Sequence, residues 1–520
     1  MSFFAALGRP EVLDLARQTH YFWALLPEIV LTLGAMLVLI VDVIHKGDRS
    51  EPSRGSIPVL TLAVLAATAL ANTALFGLRD VSANGMVAVD GFRTFTNFVY
   101  LVAAALCIAI SMGYLERRGI MKGEFHALVL FATLGMMLMG GSRDLIMTFI
   151  GLEVMSVPIY VLVGFDRMDP RSSEASLKYF LLGAFSSGFF LYGIALVFGA
   201  VGSTNLTYIA ETLGTGTDHG HERLLMAGMA LTLVGLGFKV AAIPFHMWTP
   251  DAYDGAPTPV TALMSTGVKA AAFAAFVRIF AVAFADAGAQ WVPVVWWLAA
   301  VTMVGANLVA LTQGSVKRML AYSSIAHAGY LLVALLSGGD TGKAAFLFYI
   351  LAYTVMTAGA FGIVIANSRD GEERVTLEDY AGLGLEKPWL GAAFSIFLLS
   401  LAGFPLTAGF LGKLYILRAA VEGGQAQLAV ILVLASLVSY FYYLRVIVVM
   451  YMRPARSEGW HAGAGLPLAA RTAVLAACVV VVAMFFAGAV PMRWAEQSAL
   501  SLWRQPAPVA ASPAPASLFR

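Results

Sequence analysis

Apolar runs of roughly twenty residues recur along this chain from residue 22 to residue 490, separated by short stretches of charge, Gly and Pro. A helix rising about 1.5 Å per residue needs about 20 residues to cross the hydrocarbon core of a bilayer, so this spacing constrains the fold before any single residue is considered. Hydrophobic residues make up 59% and charged residues 12% of the 520, against about 25% charged in an ordinary soluble domain. Such a chain has too little polar surface to wrap a water-soluble core. Taking each run as one span predicts fourteen, near 22–44, 57–78, 92–114, 125–141, 144–163, 175–202, 224–248, 257–284, 291–313, 319–337, 343–367, 388–419, 426–452 and 468–490. The expected fold is an all-α polytopic membrane protein, with a single transmembrane domain over 1–504 and a flexible Pro/Ala-rich tail over 505–520.

The net charge of +2 makes no case for a nucleic-acid partner. Cys107 and Cys478 lie in apolar runs with no second ligand at CxxC or CxH spacing, which excludes an iron–sulfur cluster or zinc finger held by this chain. No GxGxxG, Walker A or Ser/His/Asp pattern stands in a plausible context. Redox chemistry is therefore expected elsewhere. The first twenty residues hold Arg9 and Arg17 but no compact apolar core with a small-residue cleavage site, so no removable signal peptide is expected.

Alternate loops carry sixteen Lys and Arg on one side and eleven, termini included, on the other. The positive-inside rule then predicts both termini on the non-cytoplasmic side. Six of the 33 cations fall within or at the edge of spans: Lys178, Lys239, Lys269, Arg278, Lys413 and Arg445. A charge at membrane depth costs from ~2.5 to more than ~10 kcal/mol, so it reads by default as functional.

The densest concentration of such features is GLGFKVAAIPFHMWTPDAYDGAPTPVTALMSTGVKAAAFA, residues 235–274. Pro244 removes a backbone donor five residues after Lys239 and is expected to break the seventh span. The run 388–419 is too long for one straight helix and contains Gly403, Pro405 and Gly409, which predicts a second discontinuous helix as the twelfth span. Spans seven and twelve lie an odd number of crossings apart and so run in opposite directions. That is the pattern of inverted repeats, here roughly 125–284 and 291–452, each with a broken helix. Irregular backbone at membrane depth must be buried in protein or line a hydrated cavity. Lys239 and Lys269 are candidate relay groups, because burial makes the ammonium costly enough for its proton to leave when a neighbouring charge moves. His246 and His327 titrate near neutrality when unperturbed and either bridge the lysines or serve as hydrogen-bonded core residues. Ser323 and Ser324 either order water between them or bond back to their own helix.

The runs GLEVMSVPIYVL with Glu153, LKYFLLGAFSSG with Lys178, the 238–274 stretch, VKRMLAYSSIAHAGYLL and SLAGFPLTAGFLGKLYIL with Lys413 are spread over most of the chain. In them it resembles subunit N of the proton-pumping NADH:quinone oxidoreductase, respiratory complex I, and more broadly its antiporter-like membrane subunits. The resemblance implies a proton-translocating subunit of a bacterial inner-membrane complex with no redox centre on this chain. NADH, FMN, iron–sulfur clusters and quinone are expected on or between other subunits, with subunit M and the small subunits A, J and K as neighbours in the bilayer. It pairs Glu153 with Lys239 and implies a row of buried groups running Lys178 or Glu153, Lys239, His246, Lys269, His327, Lys413. Subunit M typically carries an acidic residue where Lys413 stands. A subunit of a sodium/proton antiporter without redox coupling is the rival, since it shares the lysines and the breaks.

Plainer alternatives stand beside these roles. Glu153 and Lys239 would also fit a permanent structural ion pair, and Lys413 would also fit a side chain snorkelling to the interface. Lys178 is as well placed for an interfacial lysine as for a relay group. Lys317 and Arg318 read as cytoplasmic anchors, Arg445 as a packing or headgroup residue, and Glu28 and Asp42 as contacts for a neighbouring subunit.

Overall fold

The computed structural model describes residues 12–15, 17–46, 56–80, 85–215, 221–369, 371–457, 460–461 and 465–502. The tail expected over 505–520 lies outside the described residues, as do the loop cations Arg49 and Arg54. Eleven long apolar helices come first: α1 (Leu26–Lys46), α2 (Ser56–Thr73), α3 (Gly91–Ser111), α4 (Gly123–Gly140), α5 (Leu145–Val163), α6 (Pro170–Val201), α7 (Glu222–Val240), α8 (Thr258–Ala283), α9 (Gly288–Leu311), α10 (Val316–Leu336) and α11 (Gly339–Ala366). The twelfth span is two half-helices, α12 (Pro388–Ala402) and α13 (Ala408–Glu422), and α14 (Ala426–Met452) and α15 (Leu468–Phe486) follow. With the broken span counted once, fourteen crossings result. Among the described residues the sheet structure is one pair of two-residue strands, Val12–Leu13 and Arg79–Asp80.

Helix starts follow local capping chemistry. The Asp90, Asp144 and Ser315 side chains accept from the first-turn amides of α3, α5 and α10, as side-chain oxygens at N-caps do. Asp169 caps α6 and Pro170 occupies its first turn, so the sixth span begins five residues before the predicted 175. The fourteenth ends at Phe486, and a separate helix, α16 (Ala489–Ser501), turns back to pack on α3 and α11.

Both predicted breaks are present. In a continued helix the Pro244 ring would strike the carbonyl of residue 240, and α7 stops at Val240, with Ala241 at φ 60°. A short helix, Trp248–Gly255, then leads to α8. In the twelfth span Gly403 takes φ 88° after Ala402, the left-handed conformation that glycine adopts most readily. The halves then cross so closely that a Cβ at Gly409 would lie 1.8 Å from the Ser400 carbonyl oxygen, while the Gly409 amide donates to Ser400 Oγ at 3.1 Å. One irregularity was not foreseen: α8 contains π-helical turns at Met264–Val268 and Ile279–Ala283, the first ending immediately before Lys269.

Packing partners recur five spans apart. α4 packs on α5 as α9 packs on α10, α5 on α6 as α10 on α11, and α6 on α7 as α11 on the two halves of the twelfth span. The centre consists of α8, α10 and α11, which are 89%, 94% and 94% buried over their most apolar stretches, whereas α1, α14 and α15 are 33% buried.

Buried ion pairs fasten this centre and correct several expectations. Glu28 is not available to a neighbouring subunit: it is buried against Arg93, with Oε1 2.7 Å from Nη2. Asp42 packs against Gly123 at the start of α4. Lys317 is not an interfacial anchor either. α10 begins at Val316, which carries its side chain inward to donate to the Ala256 carbonyl at 2.7 Å and to Glu373 at 2.8 Å. Glu373, in the connection after α11, also accepts from the Tyr114 hydroxyl at 2.6 Å and the Thr258 amide at 3.2 Å. Burial alone would raise its carboxyl, but Lys317 and these donors hold it below the usual carboxylate range. Arg278 of α8 grips Asp90 through two 2.9 Å bonds and donates to the Gly140 carbonyl at 2.6 Å.

The close crossing at Gly409 makes a prediction. Gly409→Ala forces the two half-helices apart and is expected to destabilise the chain by about 3 kcal/mol, at the upper end of overpacking costs. Thermal unfolding in detergent measures it, and an unchanged midpoint would contradict the crossing.

Candidate functional site

α10 carries Ser323, Ser324, His327 and Tyr330 within two turns, a spacing that stacks side chains on adjoining faces of a helix. The Lys269 ammonium of α8 donates to the Ser324 carbonyl at 2.6 Å and also to its hydroxyl. The neighbouring Ser323 hydroxyl bonds to the hydroxyl of Tyr443 on α14, and Tyr443 lies 3.3 Å from His327 Nε2. The other imidazole nitrogen, Nδ1, shares a 2.6 Å hydrogen bond with the Tyr349 hydroxyl of α11. Beyond His327 stands Tyr330, with ring centroids 5.1 Å apart. The Lys413 ammonium lies 4.9 Å from the Tyr330 ring centroid and donates to the Ala402 carbonyl at 2.8 Å. Lys269, His327 and Lys413 are all buried, at 1%, 1% and 5% exposure. Among the described residues neither lysine forms an ion pair, so the Lys269 ammonium is held by neutral oxygens and the Lys413 ammonium by a carbonyl and a ring face.

A second centre surrounds Lys239. Its ammonium donates to Ser156 Oγ at 2.8 Å and to the Tyr160 hydroxyl at 3.3 Å, both on α5. The Tyr160, Tyr179 and Phe238 rings have centroids 5.4, 5.6 and 5.8 Å from it. Glu153 lies on the same stripe of α5, but the expected contact pair with Lys239 is not formed, and Glu153 Oε1 is buried without a hydrogen-bond partner. The ammonium sits further along α5, where Ser156 and Tyr160 reach it first.

Two further residues are placed differently from the expected row. Lys178 is not buried: it is 45% exposed and pairs with Glu174 at 2.8 Å and Asp251 at 3.0 Å. Asp251 in turn meets Arg318 at 3.2 Å. Lys178 of α6 thus faces the rim helix Trp248–Gly255, which carries Asp251. His246 lies in the irregular segment after α7, half-buried, and bridges neither lysine by a hydrogen bond; its Nδ1 is buried without a partner. Among the described residues no group of three or more His, Cys, Asp and Glu is positioned to hold a metal ion.

The two breaks place their lysines alike. Lys239 stands in the last turn of α7, and the Lys413 ammonium binds the last carbonyl of α12. Both therefore lie at the negative end of a half-helix, where unsatisfied carbonyls and the macrodipole favour a cation. The tyrosines were missed from sequence. A Tyr inside an apolar span must find a partner for its hydroxyl, so Tyr160, Tyr349 and Tyr443 were open to notice. Arg445, beside Tyr443, packs as expected, with Nη1 3.4 Å from the Leu311 carbonyl.

Tyr443→Phe removes the hydroxyl shared by Ser323 and His327 and is expected to cost about 1–3 kcal/mol. In a double-mutant cycle Ser323→Ala should then cost less on that background than in the native chain, by at least ~0.5 kcal/mol. Thermal unfolding of the four proteins decides it, and strict additivity would mean that the shared bond is absent.

Comparison with known proteins bears on this geometry. Residues 142–439 match the family model described as NADH:quinone oxidoreductase/Mrp antiporter, TM. NADH-quinone oxidoreductase subunit N of Trichlorobacter lovleyi is 46% identical over 441 residues, covering 85% of this chain and 90% of that protein. Its namesake from Gemmatimonas aurantiaca is 47% identical, covering 86% and 87%. Among solved structures, a chain of respiratory complex I from Thermus thermophilus with bound aureothin is 36% identical with a TM-score of 0.73, covering 89% of this chain and 98% of that one. A chain of the Mrp complex from Dietzia superposes at a TM-score of 0.78 but is 23% identical, covering 93% and 98%, a likeness of fold alone. Sequence separates what the fold does not, and the chain belongs to the antiporter-like membrane subunit family of NADH:quinone oxidoreductase, on the subunit N branch.

Proposed function

We propose that this proton-translocating subunit moves protons through Lys239, Lys269, His327 and Lys413, with the Ser323–Tyr443–His327 contacts carrying the step across the second half. The observation that supports it most is the run of polar side chains between two buried lysines: Ser324 on Lys269, its neighbour Ser323 on Tyr443, Tyr443 on His327, and Tyr330 between His327 and Lys413. Hydroxyl and imidazole groups both accept and donate, so a proton entering at one end can leave at the other. Tyr330 OH is buried without a protein partner, and an ordered water would satisfy it. Charging one lysine makes charging the next more costly in a low dielectric, which gives the row its direction. Glu153 lies on the same stripe of α5 as Ser156 and Tyr160, which hold Lys239, and in this reading it belongs to the same centre. Lys178 acts at the rim, within the Glu174–Asp251–Arg318 network, rather than as a link in the buried row.

The two halves, roughly 125–284 and 291–452, act as inverted repeats around α8 and α10, a reading supported by the pairings that recur five spans apart. In this reading NADH, FMN, iron–sulfur clusters and quinone reside on or between other subunits, and subunit M with subunits A, J and K adjoin this chain in a bacterial inner membrane. Both termini face away from the cytoplasm, which the loop-charge bias supports even though Arg93 and Lys317 proved to be buried helix residues.

In the reconstituted complex, Lys239→Ala and Lys269→Arg should each leave assembly intact while lowering proton uptake and quinone-linked NADH oxidation together, on the order of ten- to a hundred-fold. The arginine fails because a guanidinium keeps its proton in a protein. Normal pumping at undiminished turnover would overturn the role, and uptake that requires sodium would favour the antiporter.

Lys413→Glu should retain several-fold more pumping than Lys413→Ala, because a carboxylate also binds and releases a proton. Proton uptake per NADH oxidised distinguishes them, and equal loss in the two variants would mean that Lys413 is structural.

A further inference from the structure

The connections that follow α11 and α14 lie against each other: a Cβ at Gly382 would stand 2.8 Å from the Ala455 nitrogen. One histidine joins them. His461 is fully buried, at 0% exposure, and its ring is engaged at both nitrogens. Nε2 lies 2.9 Å from the Ala381 carbonyl oxygen, which can only accept. Nδ1 lies 3.0 Å from Asn367 Oδ1. That amide is oriented from its other end, because Asn367 Nδ2 donates to the Asp379 carbonyl at 3.1 Å. Turning it over would set its oxygen against that carbonyl, so both ring nitrogens of His461 face acceptors. A neutral imidazole has one N–H and one lone pair, and the imidazolium alone donates from both nitrogens. A neutral ring here leaves a lone pair facing an oxygen atom in a place closed to water.

We propose that His461 is a proton-operated latch: as the imidazolium it ties the connection after α14 to the connection after α11, and on losing its second proton it releases them. Glu386 supplies the countercharge, its Oε2 accepting from the His461 amide at 2.9 Å. The other charged groups nearby are engaged elsewhere. The Asp379 carboxylate takes the Thr376 amide and hydroxyl and meets Arg456 at 3.4 Å. Arg374 donates to the Trp460 carbonyl at 2.9 Å and, with Arg456, flanks the Trp460 ring, while Arg117 lies 3.5 Å from the Gly465 carbonyl. Lys387 follows Glu386 in the chain and has its own interaction. The latch points, Asn367 and Ala381, bracket Glu373, the buried carboxylate that holds Thr258 and Lys317 at the starts of α8 and α10. Protonation thus tightens the seat of the central helices. The latched form binds the extra proton, so its contribution is present at low pH and is lost as pH rises.

The test is amide hydrogen exchange of the whole complex in lipid nanodiscs, corrected for the intrinsic pH dependence of exchange and read on peptides spanning residues 367–387 and 453–461. Protection of both is expected to fall about threefold or more between about pH 6 and about pH 8.5, while peptides from α16 keep theirs. His461→Gln, a neutral side chain of similar reach, should leave protection low and flat across that range. Glu386→Gln removes the countercharge and should move the fall to lower pH by about half a unit or more. Where His461→Gln fails to assemble, the native profile and Glu386→Gln carry the test. Native protection that is flat with pH, a fall that persists in His461→Gln, or a Glu386→Gln profile that superposes on the native one would each overturn the latch.

Discussion

The cost of keeping an ammonium group away from water governs much of this structure. Lys239, Lys269 and Lys413 are buried without a contact carboxylate, and each instead meets neutral oxygen atoms supplied by the protein, joined by ring faces at Lys239 and Lys413. Uniform helices have few such oxygens to offer, since their carbonyls are engaged within the helix. Breaking a helix frees them. The interruption after Ala402 exposes the carbonyl that Lys413 takes, and the interruption after Val240 leaves Lys239 in the last turn of α7. In the proposed relay, neutral partners suit a group that gives up and regains its proton, whereas a tight carboxylate would hold the proton in place.

Such a centre must be held rigidly, because displacing any oxygen would strand a buried charge. Fixed ion pairs do this at the ends of the spans. Arg278 ties α8 to Asp90 and to the end of α4, and Arg93 ties α3 to Glu28 of α1. Lys317 and Glu373 join the start of α10 to the start of α8 through Thr258 and Ala256. Buried cations of two kinds are thus present among the described residues: Arg93, Arg278 and Lys317 meet carboxylates, whereas Lys239, Lys269 and Lys413 meet neutral oxygens. Breaking a buried pair of the first kind typically costs about 3–5 kcal/mol, whereas the second kind is free to respond to its surroundings.

The comparisons fit this division. A chain of an Mrp complex superposes on this one at least as well as a chain of complex I does, although the complex I chain is much closer in sequence. The helical frame is thus common to the two chains. What assigns the chain to the oxidoreductase branch is the residue-level match to the subunit N relatives.

The fourteen crossings, the two breaks and the burial of Lys239, Lys269, His327 and Lys413 were legible in the sequence. They depend on hydropathy period, on proline and glycine geometry and on the cost of charge, all local properties of the chain. Which partner each buried group meets was not legible, because it is set by the rotation and depth of helices against one another. Glu153 and Ser156 share a stripe of α5, and only the depth of α7 beside it gives Lys239 to Ser156 rather than to Glu153. The packing of α6 on the helix Trp248–Gly255 gave Lys178 to Asp251, and the inward course of the Lys317 side chain made it a buried partner of Glu373. The sequence by itself determined that charges would lie inside a membrane domain with broken helices. Only the tertiary structure decided which became fixed pairs and which were left to neutral oxygens, because that choice depends on distances of a few ångströms between helices far apart in the chain.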